Sequence, residues 1–159
     1  MRVGYERTGL PDRLPATKQR PGKTLKHKVR MLVAVTPRAL FDLIEDLFRG
    51  RPEFEILEIP RSAKGVAQHG QRLLPELIVV NVKPLKSGVC RTVRLLKRSS
   101  PSSKLILIFP VKGFAHSARR CGADACLEAE ALLGRLLPTA QRLAGARQAE
   151  QLTKERKSS

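Results

Sequence analysis

The chain has 159 residues, of which 42% are hydrophobic, and this is enough for one domain with a buried core and terminal tails. Its 31 Lys and Arg outnumber 14 Asp and Glu, for a formal net charge of +17, which favours polyanionic partners such as nucleic acid or acidic proteins. The three cysteines form no Cys-x-x-Cys pair and no apolar run reaches the length of a membrane helix, so we expect neither a disulfide framework nor a membrane span, but a cytoplasmic protein.

The first 28 residues form a segment rich in Pro, Gly and basic side chains, without apolar periodicity. Such a segment buries too little apolar surface to offset the entropy of ordering, so we expect a flexible arm over residues 1–28. Through residue 30 it has nine basic and two acidic side chains, a net charge of about +7. The candidate polyanion contacts are Arg13, Lys18, Arg20, Lys23, Lys26, Lys28 and Arg30.

From residue 29 onward, short apolar runs alternate with amphipathic stretches. This alternation is typical of βαβ units, which form a parallel sheet. The predicted strands cover residues 29–35, 54–59, 77–82, 104–109 and 125–127. The predicted helices cover residues 37–48, 63–73, 87–97, 112–121 and 130 to about 147. Residues 146–159 are polar and basic, and we expect them to form a fraying C-terminal tail.

Three local patterns within residues 29–145 resemble the receiver domain of bacterial two-component response regulators. Residues 74–81, LPELIVVN, resemble its phosphoacceptor strand, and Gly122-Ala123-Asp124 resembles the tripeptide before its fifth strand. Residues 33–37 correspond to the end of its first strand. The resemblance implies a flavodoxin-like, doubly wound α/β fold: a five-stranded parallel sheet with strand order 2-1-3-4-5 and helices on both faces.

The same resemblance implies that the residues needed for phosphorylation are missing. An active receiver uses an acidic pair to hold Mg²⁺ and an aspartate to accept the phosphoryl group. Here the acidic pair aligns with Ala34 and Val35, and the acceptor with Asn81. The family's hydroxyl residue aligns with Phe109 and its lysine with Ala129. We therefore expect no catalytic residues, no metal and no cofactor.

Two functions from different classes remain open. The first is a phosphorylation-independent pseudo-receiver that binds a partner protein, or a second copy of itself, in bacterial signal transduction. Family resemblance places its contact surface on helix four, strand five and helix five. The candidate contacts are Lys112, His116, Arg119, Arg120, Asp124 and Glu128. The second is a nucleic-acid-associated protein whose basic arm binds DNA or RNA backbone. An enzyme is not expected, because no nucleophile, base or metal cluster is recognisable.

Several smaller features have competing interpretations. The basic residues of the second and third predicted helices either form one continuous face or are dispersed for solubility. They are Lys64, Arg72, Arg91, Arg94, Lys97 and Arg98. Lys83, Lys86 and Lys112 lie in predicted loops, where ordinary solvated charges are favoured over an anion site. The spacing of His116, Cys121 and Cys126 fits no zinc pattern, so a surface histidine and two buried thiols are expected.

Overall fold

A computed structural model describes residues 27–57, 62–81, 88–110, 113 and 115–158. Its strands are β1 (Val29–Ala34), β2 (Phe54–Leu57), β3 (Leu77–Asn81), β4 (Lys104–Phe109) and β5 (Ala125–Glu128). Its helices are α1 (Arg38–Phe48), α2 (Ala63–Leu73), α3 (Gly88–Ser99), α4 (Ala115–Arg120) and α5 (Leu132–Lys157). A 3-10 turn, Ala129–Ala131, joins β5 to α5. Of the predicted arm, all but the last two residues lie outside the described ranges.

The five strands form one sheet in the order β2-β1-β3-β4-β5, and every pairing is parallel. The fold class and strand order predicted from the sequence are thereby confirmed. The chain first moves from β1 outward to β2, then returns to β3 on the other side of β1 and continues outward. This reversal leaves a crevice at the carboxyl ends of β1 and β3, where doubly wound proteins bind ligands.

Helices cover both faces of the sheet, which explains why residues 77–80 of β3 and 105–109 of β4 are apolar without interruption. Successive side chains of a strand point to opposite faces. In β3, Leu77 and Val79 pack toward α1 and α5, whereas Ile78 and Val80 pack toward α2, α3 and α4. The sheet therefore separates two apolar cores, and a polar residue within β3 would be buried on either side.

The last helix is longer than the sequence predicts. We expect a helix ending near residue 147 and a fraying tail from residue 146, but α5 continues to Lys157. Residues 146–157 contain no Gly or Pro and several strong helix formers. Two ion pairs also anchor this part of the helix: Arg147 Nη1 lies 3.7 Å from Glu76 Oε2, and Lys104 Nζ lies 3.0 Å from Glu150 Oε1. Within the described ranges, no helix is long and apolar enough to cross a membrane.

Candidate functional site

The carboxyl edge of the sheet is formed by the last residues of parallel strands. Ala34 ends β1, Asn81 ends β3, Phe109 ends β4 and Glu128 ends β5. The strand register aligns Ala34 with Val80 and Phe109 with Glu128. The structure thus brings two of the predicted phosphorylation-site positions, Ala34 and Asn81, to the ends of neighbouring central strands.

The side chain of Asn81 is bound to the backbone between β1 and α1. Its Oδ1 accepts a hydrogen bond from Thr36 N at 3.0 Å, and its Nδ2 donates one to Thr36 O. An amide supplies both an acceptor and donors, whereas an ionised carboxylate only accepts. Asn81 therefore connects β3 to the loop after β1, a connection that aspartate would make only in part.

The other predicted phosphorylation-site positions place no side-chain oxygen or nitrogen at this edge. Ala34 is half-buried, and Val35 is buried in the core beneath α1 and α5. Phe109 is buried in the opposite core, and Ala129 is exposed in the 3-10 turn. Among the described residues, no group of three or more His, Cys, Asp or Glu is arranged to hold a metal ion. Among the last residues of the described strands, the one with a carboxylate is Glu128, at the end of β5, and it is half-buried.

The predicted partner surface on α4, β5 and α5 is only partly assembled from the expected residues. His116, Arg119 and Arg120 are exposed on α4, and Lys112 lies outside the described ranges. Asp124 is not free for a partner, because it is half-buried and accepts hydrogen bonds from Lys97 Nζ and, at 2.7 Å, from Leu105 N. It is used within the fold to connect β4 and α3 to the entrance of β5.

One residue of this surface escaped the sequence analysis. Leu133, in the first turn of α5, is 61% exposed, although its neighbours Leu132 and Leu136 are fully buried. The sequence offered no clear signal for this, because the next adjacent pair in the same helix, Leu136 and Leu137, both pack against the core. Leu133 adds an apolar contact point close to β5.

The cysteines differ from the expectation of two buried thiols. Cys90, in the first turn of α3, is bonded to Cys121, just after α4, with their Cα atoms 5.1 Å apart. Only Cys126 is a buried free thiol. Burial raises the pKa of the Cys126 thiol, and the nearby Arg119 opposes this effect. The prediction failed for Cys121 because its partner is 31 residues away in sequence and approaches only through packing between α3 and α4.

The candidate basic residues of α2 and α3 share one side of the molecule, because these helices pack against each other. Five are exposed: Lys64, Arg72, Arg91, Arg94 and Arg98. Lys97 does not belong with them, since it is half-buried and bound to Asp124. Five of the six residues are thus exposed on neighbouring helices, as the continuous-face interpretation requires.

The candidate polyanion contacts of the arm are mostly outside the described ranges. These are Arg13, Lys18, Arg20, Lys23 and Lys26. Exposed Lys28 and half-buried Arg30 lie at the start of β1, at the amino edge of the sheet and opposite the crevice. The loop residues Lys83 and Lys86 are also outside the described ranges.

No protein-family model matches the sequence, and no curated protein is similar to it. Several solved structures are similar to this chain in fold. The CheY-like response regulator receiver domain protein of Methanospirillum hungatei has a TM-score of 0.66 and 17% identity, covering 78% of this chain and 98% of that one. A two-component response regulator of the LuxR family from an Aurantimonas species has a TM-score of 0.67 and 14% identity, covering 81% and 98%. The response regulator domain of Thermotoga maritima CheB has a TM-score of 0.63 and 15% identity, covering 75% and 98%.

The chain has the receiver fold. At these identities the similarity establishes architecture alone, so the function has to be argued from the residues that the receiver fold places at its crevice and on its surfaces.

Proposed function

We propose that the chain is a pseudo-receiver, a regulatory module of bacterial signal transduction that binds a protein partner or a second copy of itself without being phosphorylated. The main support is the carboxyl edge. Asn81 is bonded through its amide to Thr36, and Ala34 and Val35 carry no side-chain oxygen. A receiver fold without metal ligands and a nucleophile at this edge can still act by binding another molecule.

The chemical argument concerns both the metal and the nucleophile. Mg²⁺ requires an octahedral shell of oxygen ligands and is usually held by one or more carboxylates. Phosphoryl transfer to protein requires a nucleophile such as a carboxylate. The nitrogen lone pair of Asn81 is delocalised into its carbonyl, so the amide is a poor nucleophile even where it is accessible.

The proposed contact surface combines exposed donors on α4 with an exposed leucine on α5. His116, Arg119 and Arg120 supply charge and hydrogen-bond donors, and Leu133 supplies an apolar group. Apolar anchors surrounded by polar groups are typical of protein interfaces. Half-buried Glu128 ends β5, an edge strand, and adds an acceptor to this surface.

The first experiment tests phosphorylation. Incubating the full chain with Mg²⁺ and acetyl phosphate is expected to leave its intact mass unchanged, under conditions in which an active receiver run in parallel gains a phosphoryl group. Stoichiometric incorporation at any residue would overturn the proposal of a phosphorylation-independent module.

The second experiment tests the contact surface by sedimentation at increasing protein concentration. Leu133→Glu is expected to weaken self-association at least about tenfold, because a charge replaces an apolar interface group. Leu152→Glu is the matched control, since Leu152 is on the same helix and is also 61% exposed. Equal effects of the two substitutions would exclude this surface, and a monomeric wild type would exclude self-association in favour of a different protein partner.

A second candidate function is binding of nucleic-acid backbone by the arm, which is supported by its net charge of about +7 through residue 30. Replacing Lys18, Arg20, Lys23 and Lys26 with Gln in the full chain tests it. Substitution is preferable to deleting residues 1–28, because His27 is hydrogen-bonded to buried Glu76. If the arm binds nucleic acid, affinity and its salt dependence both fall. Unchanged affinity would show that these residues of the arm do not contribute to nucleic-acid binding.

A further inference from the structure

Charge is divided unevenly between the two helical layers. The helices α2, α3 and α4 contain eight Lys and Arg and no Asp or Glu, although the chain has 14 acidic residues. On the other side of the sheet, α1 has one basic and three acidic residues, and α5 has six basic and two acidic residues. These three helices therefore supply no acidic side chain to offset their positive field, and Lys97 is paired instead with Asp124, which lies outside them.

The exposed residues of α3 form a straight stripe on this layer. Arg91, Arg94, Leu95 and Arg98 follow the i, i+3, i+4, i+7 spacing of one helical face, and all are exposed. At a rise of about 1.5 Å per residue, the stripe is about 10 Å long. Each strand of duplex DNA carries one phosphate for about every 3.4 Å of helix axis, so a stripe of this length can reach at least two neighbouring phosphates.

The neighbouring helix α2 extends the stripe with further donors. Its exposed residues are Lys64, Gln68, Gln71 and Arg72. Amide and guanidinium groups are among those that proteins use to contact phosphates. We call the exposed residues of the two helices, Lys64, Gln68, Gln71, Arg72, Arg91, Arg94 and Arg98, the α2–α3 basic face.

Three of the four cations of α3 form no ion pair within the described part of the chain. The one ammonium of α3, on Lys97, is bound to Asp124 beside the stripe. In the part of the chain that the structure describes, no ion pair involves Arg91, Arg94 or Arg98. Their guanidinium groups are therefore available to an external anion, and they lie on a helix that packs firmly against the sheet.

The composition of the face favours nucleic acid over an acidic protein. The three helices contain no aromatic residue, and the apolar group within the stripe is Leu95, at 40% exposure. Protein interface centres are depleted of charge and enriched in aromatic residues. Protein–DNA interfaces are more polar and far more positive, as this face is.

We propose that the α2–α3 basic face binds the phosphate backbone of duplex DNA without sequence specificity. DNA is preferred over duplex RNA because the phosphates along its open major groove are accessible to a helical surface, whereas the RNA major groove is deep and narrow. The site lies on the folded domain, so it is distinct from the N-terminal arm. It also leaves Leu133 and the proposed partner surface free.

The test uses two full-chain variants with the same change in net charge. The α3 variant combines Arg91→Gln, Arg94→Gln and Arg98→Gln, and the α5 variant combines Arg135→Gln, Arg142→Gln and Arg156→Gln, at positions that are also exposed. Binding to a labelled duplex DNA of mixed sequence is measured by fluorescence anisotropy across a salt series. Circular dichroism verifies that both variants are folded.

The α3 variant is expected to lose about tenfold or more in affinity, and its slope of log affinity against log salt should decrease by about 2 to 3, at about 0.9 per phosphate contact. The α5 variant should remain within about twofold of wild type. Replacing the same three α3 arginines with Lys should preserve the slope. Equal losses in the α3 and α5 variants, an unchanged α3 variant, tighter binding to duplex RNA, or no binding by wild type at moderate salt would each overturn the proposal.

Discussion

Asn81 forms two hydrogen bonds of opposite direction with the backbone of Thr36. This pair explains at the residue scale why an amide suits the end of β3. An aspartate at this position would lose the bond donated to Thr36 O and would therefore lower stability. It would not allow phosphorylation either, because Ala34 and Val35 provide no metal ligands.

We expect Asn81→Asp to lower the free energy of unfolding by about 1 to 3 kcal/mol near neutral pH. The substitution removes a donor and places a negative charge beside the Thr36 carbonyl oxygen. Urea denaturation measures the change. Thr36→Ser serves as the control, since Asn81 contacts only the backbone of Thr36. An Asn81→Asp variant as stable as wild type would show that the bond donated by Nδ2 contributes no net stability.

Cys126 yields a second prediction at this scale, because burial raises the pKa of its thiol. A thiol whose pKa is raised in the folded state keeps its proton when the unfolded chain has lost it. Its contribution to stability is therefore complete at lower pH and is lost as pH rises from the unfolded value toward the folded one. The stability difference between wild type and Cys126→Ala should narrow as pH rises above about 8.5, the usual pKa of a cysteine thiol. A widening difference in thermal unfolding would contradict this sign.

At the scale of elements, α2 shows how local chemistry and tertiary packing share in forming a helix. Ser62 caps its start by accepting a hydrogen bond from Gly65 N at 3.0 Å. Leu74, the residue that caps its C-terminus, adopts a left-handed conformation with φ 47°, which glycine adopts far more readily. Leu74 is also 64% exposed, so its side chain contributes little packing in return.

Leu74→Gly is expected to raise the free energy of unfolding by about 1 kcal/mol, because it relieves the left-handed backbone strain of a side chain that is largely solvated. The matched control is Leu95→Gly in α3, where glycine in a right-handed helix interior should lower stability by about 1 kcal/mol. Both are measured by chemical denaturation. Destabilisation at both positions would mean that the Leu74 side chain contributes more than its conformation costs.

Across the whole molecule, one buried charge cluster joins elements distant in sequence. Glu76 is buried just before β3, where it is bound by His27 before β1 and lies 3.7 Å from Arg147 of α5. Burial lowers the pKa of Arg147, and the neighbouring Glu150 opposes this. The cluster lies at the amino edge of the sheet, so it stabilises the fold at the end opposite the crevice.

A double-mutant cycle tests this cluster. Glu76→Gln should lower the free energy of unfolding by about 3 kcal/mol, because it leaves the Arg147 cation buried without its partner, and adding Arg147→Met should recover part of the loss. Asp42→Asn is the control, because Asp42 pairs with Arg38 on the exposed surface of α1 and should cost less than about 1 kcal/mol. Additive effects of the two Glu76 and Arg147 substitutions would show that the pair is not coupled.

The sequence by itself determined the alternation of strands and helices and the groups that end the strands, whereas the strand order was implied by the resemblance to receiver domains. The alternation of apolar runs and amphipathic stretches is a local pattern, and the run of residues 77–80 is apolar throughout because helices cover both faces of β3. Which groups end the strands is also read directly from the chain, so the absence of carboxylates at residues 34, 35 and 81 needed no coordinates.

Only the tertiary structure decided which distant residues meet. Asn81 binds Thr36, 45 residues away, and Lys97 binds Asp124, 27 residues away, so neither pairing leaves a trace in local periodicity. The same holds for the α2–α3 basic face, whose two helices are adjacent only because they cover the same side of the sheet. Periodicity specifies which side of an element is buried. Strand order and helix packing specify which residues that buried side contacts, and which exposed surfaces lie next to each other.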